Sequence, residues 1–168
     1  MKFLSRYTAS LLFCCLLVAT TTSFADIIND TPKSSQETKI VALKNFVNSA
    51  IQYIKQKGRL EAYKEFSKPQ GKFTKDGMYI FVAKYTGEML AHGGDPTNMV
   101  GANILNLHDE FGSPMFLMFI NAAKNGGGTV GYYWKNYAKK NTILFKITYV
   151  KPLDSKTFIG GGYYENKQ

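Results

Sequence analysis

The chain has 168 residues, 45% of them hydrophobic, and carries 21 Lys and Arg against 12 Asp and Glu, a formal charge of +9. That length suits a single domain with one core. Its only cysteines, Cys14 and Cys15, lie inside the first apolar run, which excludes a disulfide scaffold and a cysteine-ligated metal from the rest of the chain. The lysines are scattered, only Lys139 and Lys140 are adjacent, and Arg59 is the one arginine beyond residue 25. No basic stripe therefore points to nucleic acid, and the charge reads as a solvated surface.

The first element is a targeting segment. Lys2 and Arg6 precede the apolar run 11–19, and Ser23-Phe24-Ala25 then supplies small residues at the two positions a signal peptidase reads. The run is about half the roughly 20 apolar residues that a membrane-spanning helix needs. A bulky Phe13 before Cys14, and an apolar run that continues past the cysteines, argue against lipidation. The expectation is a signal peptide over 1–25, cleaved after Ala25, and export to the periplasm or beyond. Cleavage leaves 143 residues, with 19 basic against 12 acidic.

A polar leader over 26–35 follows. Ser34-x-x-Glu37 is a capping box, and Ile40, Leu43, Val47, Ala50, Ile51 and Ile54 recur at helical spacing up to Gly58. Residues 60–66 read as a second, short helix. The pattern then turns to strands: 78–83 and 88–92 form a hairpin about Thr86-Gly87. Residues 93–106 read as a loop, Ser113-Pro114 opens a helix over 115–123, and three strands follow at 129–134, 143–150 and 157–164. This order predicts an α+β fold on an antiparallel sheet.

Several of these segments carry motifs. Tyr79-x-Phe81-Val82, Gly87-x-x-Leu90-Ala91-His92, Val100-Gly101-x-Asn103 and Leu107-x-Asp109-x-x-Gly112 come first, followed by Tyr132-Tyr133-Trp134, Lys146-x-x-Tyr149-Val150 and Ile159-Gly160-x-Gly162. In this order and spacing the chain resembles the single Cache domains of bacterial extracytoplasmic sensors. The resemblance implies a PAS-like fold over residues 36–166, with a long N-terminal helix packed on a five-stranded antiparallel sheet. It also implies a pocket on the opposite face that takes a small organic acid or another small metabolite. Gly93 after His92, Tyr137-Ala138, Phe158 and Gly161 depart from the family's usual residues. The chain reaches Gln168 without a second apolar span, so it resembles the standalone exported members. A membrane receptor or envelope protein is then the expected partner for any signal.

Lys146 is the most informative charge. Alternation puts Leu144, Lys146 and Thr148 on one strand face and Ile143, Phe145, Ile147 and Tyr149 on the other. A buried lysine needs a partner, which a ligand carboxylate would supply; the alternative is a rim lysine in solvent. His92 either donates to a ligand, with a charge that changes near neutrality, or braces the glycine-rich loop after it. Tyr79 and Tyr133 offer hydroxyls that suit orienting a small polar ligand. Trp134 and Thr148 complete the expected site, although sheet-face packing is the commoner role of such aromatics.

No cofactor is expected. His92 and His108 lack metal-ligand spacing, and neither 126–128 nor 160–162 carries the lysine of a phosphate loop. No nucleophile–base pair or paired-acid motif points to an enzyme. The leading function is thus an exported, non-catalytic small-molecule-binding module. The alternative is an extracytoplasmic interaction module for a protein or envelope partner, with a vestigial pocket.

Overall fold

Ser34 starts the fold. Its hydroxyl accepts from the Glu37 N–H (3.1 Å) while the Glu37 carboxylate accepts from the Ser34 N–H (3.0 Å), so the expected capping box is formed. In the computed structural model, which describes residues 34–75 and 77–165, helix α1 (Ser35–Lys57) follows it. The expected signal peptide and most of the leader lie outside the described residues. Gly58, at φ 78°, ends α1 and begins α2 (Arg59–Phe66) in a backbone region that favours glycine.

The strands are β1 (Thr74–Lys75), β2 (Met78–Lys84), β3 (Met89–His92), β4 (Gly128–Asn136), β5 (Thr142–Pro152) and β6 (Thr157–Tyr164). All pairings are antiparallel, in the order β1-β2-β6-β5-β4, with β3 sharing the outer edge of β2 with β1. The two-residue β1 is an addition to the five expected strands. Two short hairpin turns keep β4, β5 and β6 adjacent. Between β3 and β4 the chain must travel from one edge of the sheet to the other. It does so through α3 (Pro96–Met99), a loop, and α4 (Met115–Lys124), which together cover one face. The segment 93–106, expected as loop throughout, thus contains a short helix. Asp95 caps it by accepting from the Asn98 N–H, and Pro96 occupies its first turn. Pro114, expected at the first helical position of α4, stands one place earlier as its N-cap.

The sheet is buried on both sides. Leu43, Val47 and Ala50 of α1, all fully buried, pack with Phe66, Ile80, Val82 and Ile159 on one face. Phe81, Phe116, Phe119, Val130, Tyr132 and Phe158 form a second core on the other, under α4. Both layers press on β6, which explains its glycines. A Cβ on Gly161 would come within 3.2 Å of Val47, and one on Gly160 within 2.6 Å of the Phe81 ring. A strand normally loses packing at glycine; here the missing side chains admit larger ones from both neighbouring layers.

Candidate functional site

The site forms on the α4 face because three adjacent strands present long side chains there. Lys146 of β5 stands opposite Tyr132 of β4 and Tyr164 of β6, and Thr148, two residues on, stands opposite Gly162. Gly162 in turn pairs with Tyr79 of β2. A Cβ on Gly162 would lie 2.8 Å from Lys146 Cε and would collide with Thr148 Oγ1, so the lysine stem runs across the bare backbone of β6. This path carries Lys146 Nζ to 3.5 Å from the Tyr79 ring centroid and 4.8 Å from that of Tyr164.

Lys146 is completely buried, and its Nζ has no hydrogen-bond partner. Among the described residues the three ion pairs are Arg59–Asp154, Lys68–Glu65 and Lys84–Glu88, and none includes it. Burial alone pushes its pKa well below the ordinary 10.5, because a charge away from water and without a counter-ion is costly. The alternation expected from sequence thus holds, with Lys146 and Thr148 on the inner face.

The surroundings are neutral. Burial, followed by the charge of Lys146, lowers the His92 pKa to about 3. His92 Nδ1 accepts from the Asp95 N–H at 2.9 Å, so the neutral ring carries its proton on Nε2. One nitrogen therefore braces the glycine-rich loop, and the other is left as a donor. The His92 ring packs against Tyr79 at 4.7 Å. Tyr132 and Thr148 share a hydrogen bond of 3.0 Å, and the Tyr164 hydroxyl donates to the Lys135 carbonyl at 2.5 Å. Burial raises the pKa of Tyr79, Tyr132 and Tyr164, so these phenols keep their protons.

Beside this cluster is a void of about 10 Å³, bordered by Tyr79, Met89, His92, Met115, Tyr132 and Trp134 among others. It is the size of one water molecule. Tyr79 also borders a wider cavity of about 300 Å³, formed with Thr74, Gly93, Gly94 and Tyr137. A Cβ on Gly94 would lie 2.6 Å from the Tyr79 ring and 2.7 Å from Tyr137, so the two rings approach the backbone there only because residue 94 has no side chain.

Of the residues expected at the site, Tyr79, His92, Trp134, Lys146 and Thr148 are brought to this inner face. Tyr133 is not among them. It stands on the opposite face of β4, its ring 5.2 Å from Phe145 and 4.5 Å from the exposed Phe111. Tyr132 takes the inner place. The signal for this was present: Thr129, Gly131, Tyr133 and Lys135 share one parity of the strand, Val130, Tyr132 and Trp134 the other. Tyr164 and Gly162 were legible only through cross-strand register.

Asp109 anchors the crossing segment. Its Oδ1 accepts from the Phe111 and Ser113 N–H groups (3.0 and 2.8 Å) and its Oδ2 from the Tyr133 N–H (3.1 Å), tying the loop to the edge of β4. Burial works against its charge, but the N–H donors of Ser113, Tyr133 and Phe111 outweigh it and hold the carboxyl below its usual pKa. Among the described residues no group of three His, Cys, Asp or Glu could hold a metal ion, and no helix is long and apolar enough to cross a membrane.

A long helix behind a five-strand antiparallel core, with a buried lysine among tyrosines on the other face, is a PAS-like α+β architecture. Residues 34–166 match the family model described as Single Cache domain 2, and the chain belongs to that family of extracytoplasmic sensor domains. Solved structures share the fold. A methyl-accepting chemotaxis protein from Vibrio parahaemolyticus RIMD 2210633 superposes with a TM-score of 0.66 at 20% identity, over 77% of this chain and 90% of that one. The periplasmic sensor domain of a chemotaxis protein gives 0.59 at 18% identity, over 80% and 95%. A Cache chemosensory domain solved for the structural basis of its carboxylic acid recognition gives 0.67 at 20% identity, over 81% and 99%. No curated protein matches the chain in sequence.

Proposed function

We propose that this chain is an exported, non-catalytic binding module whose site, built on Lys146, takes a small organic anion, in first place a short carboxylate. The observation that carries the reading is the Lys146 amine, fully buried without a hydrogen-bond partner among tyrosines and a neutral histidine. Nothing in the fold's own packing requires it, and an apolar residue would fill the same space at lower cost. A ligand carboxylate would supply the missing charge, and a solved Cache domain of the same fold recognises carboxylic acids. The Nε2–H of His92 and the Tyr132–Thr148 hydroxyl pair are the further groups assigned to ligand orientation.

A void of about 10 Å³ is too small for a carboxylic acid of even two carbons, so binding has to move side chains. Met89, Met99 and Met115, which all border the void, are suited to this, since an unbranched thioether repacks with little strain. Ligand occupancy would be passed on by a membrane receptor or envelope protein. The same small void favours one second reading, an interaction module whose pocket has closed.

A thermal-shift screen of the purified protein against short carboxylates separates the two. An acid at about 100 times its Kd stabilises the fold by roughly 2.7 kcal/mol, which is several degrees for a domain of this size. A screen flat for every acid, alongside capture of an envelope partner, would replace the first reading by the second.

A further inference from the structure

We propose that a second cavity, at the exposed edge of β4, is a docking site for a partner protein, which seats an apolar side chain flanked by carboxylates there and so reads the state of the ligand site. The inference rests on the assignment of the Lys146 pocket as the ligand site, and adds to it the surface and the chemistry of the partner.

This outer cavity measures about 230 Å³, and Leu107, Tyr133, Trp134 and Ile143 give it apolar walls. Metabolite pockets are commonly about 300–1,000 Å³; a smaller cavity beside an exposed aromatic ring suits a single anchoring side chain of a protein. That ring is Phe111, 71% exposed, held edge-on to Tyr133 at 4.5 Å, with Tyr133 in turn against Phe145 at 5.2 Å. The domain's own packing leaves most of Phe111 in water, and covering it is a gain that only a partner supplies.

Charge sets the partner's chemistry. From Phe111 to Leu153 the chain has six lysines and no Asp or Glu. Lys135 lines the cavity, and Lys139 and Lys140 follow it in the turn to β5. All three are exposed, and none belongs to an ion pair among the described residues. On the crossing segment the Asp109 carboxylate is held by three backbone N–H groups, which leaves Glu110 as the opposing charge. A carboxylate-bearing protein segment complements the lysines and fills the apolar cavity at once; a lipid or polymer phosphate would meet the lysines and leave the cavity empty.

The same elements border the inner void. Trp134 lines both cavities, and the crossing segment lines the inner one through Met99, Ile104 and Met115 and the outer one through residues 107–110. Enlarging the void for a ligand moves side chains in a close-packed interior, and these are the walls through which the movement reaches the outer cavity. By linkage, a partner seated there changes ligand affinity by the same factor as the ligand changes the partner's.

Trp134 is the only tryptophan of the chain, so its fluorescence reports on this cavity. The test titrates the purified protein with short peptides in which one leucine or phenylalanine is flanked by glutamates, with and without propionate. A salt-sensitive shift of Trp134 emission is expected, its affinity weakened about tenfold by Phe111→Ser, lost when Lys135→Glu, Lys139→Glu and Lys140→Glu are combined, and strengthened by Glu110→Gln. Saturating propionate should change peptide affinity by about fivefold or more, the lower end of ordinary coupling between sites. If propionate raises the melting temperature while the peptides leave Trp134 unmoved, or bind the Phe111 and lysine variants equally well, the docking site falls and the ligand reading stands. Anionic lipid vesicles that bind through the lysines and are indifferent to Phe111 would overturn the protein partner in favour of a membrane surface. Peptide affinity unchanged by a propionate that does bind overturns the relay. If the peptides bind with the expected variant pattern and propionate does not bind, the relay and the ligand reading fall together and the surface stands as a plain interaction module.

Discussion

Replacing Lys146 by methionine should make the empty protein more stable while disabling its ligand site. The variant keeps an unbranched stem across Gly162 and exchanges a buried, unpartnered amine for a methyl thioether. An unsatisfied buried donor costs about 1–3 kcal/mol. With a urea m-value of roughly 2 kcal/mol/M, removing it raises the unfolding midpoint by about 0.5–1.5 M. The effect has a pH signature. Because the folded-state pKa of Lys146 is depressed from 10.5, the unfolded chain binds one proton more than the folded one between those two values. Wild-type stability therefore falls as pH falls through that window, by up to ~1.4 kcal/mol per unit, and the methionine variant escapes the loss. Urea melts of both proteins at pH 9 and pH 7 measure it: the advantage of the variant should widen at pH 7. Titration calorimetry with propionate should show affinity weakened about ten- to hundredfold, the equivalent of one charge-assisted hydrogen bond. A variant less stable than wild type at both pH values, binding propionate as well as wild type does, would refute the reasoning.

Carboxylate binding should itself be pH-dependent, since the anion brings a proton onto Lys146: affinity should fall as pH rises from 6 to 9, with proton uptake visible as a buffer-dependent binding enthalpy. No histidine inflection is expected near 6.5, because His92 stays neutral down to about 3; one that vanishes on replacing His92 would contradict the burial that keeps the ring neutral. Gly162→Ala should lower stability by about 1–3 kcal/mol and abolish binding, its Cβ meeting Lys146 Cε at 2.8 Å; an unchanged melting temperature would show that the lysine takes another path. Asp109→Ala should cost about 1–2 kcal/mol and speed amide exchange at Phe111, Ser113 and Tyr133 while leaving β2 and β6 protected. Tyr132→Phe should weaken carboxylate binding measurably and Tyr133→Phe should not; the reverse ranking would move the site to the other face of β4.

Much of the fold was legible because its signals are local. The Ser34–Glu37 capping box, the three- and four-residue spacing of Leu43, Val47 and Ala50, and the β-branched run of β2 each act within a few residues of themselves. Alternation along β5 put Lys146 and Thr148 on one face, because pleating fixes that relation whatever the strand packs against. The short α3 was readable from Asp95-Pro96, an N-cap followed by a first-turn proline, although the glycines and asparagines around it outweigh that signal.

What the sequence alone determined, then, is the kind of domain and the strand face that Lys146 shares with Thr148; whether that face is interior or rim it left open. Only the tertiary structure decided what surrounds that lysine. Tyr79, Gly162 and Tyr164 come to Lys146 through the pairing of β2, β6 and β5, which brings residue 79 against residue 162 and residue 164 against residue 146. Tyr132, not Tyr133, faces it because β4 pairs with β5 in one register, and a shift of one residue would exchange the two. Whether the amine has a counter-ion is likewise a property of the packed interior, where burial removes the water that would otherwise hold its charge.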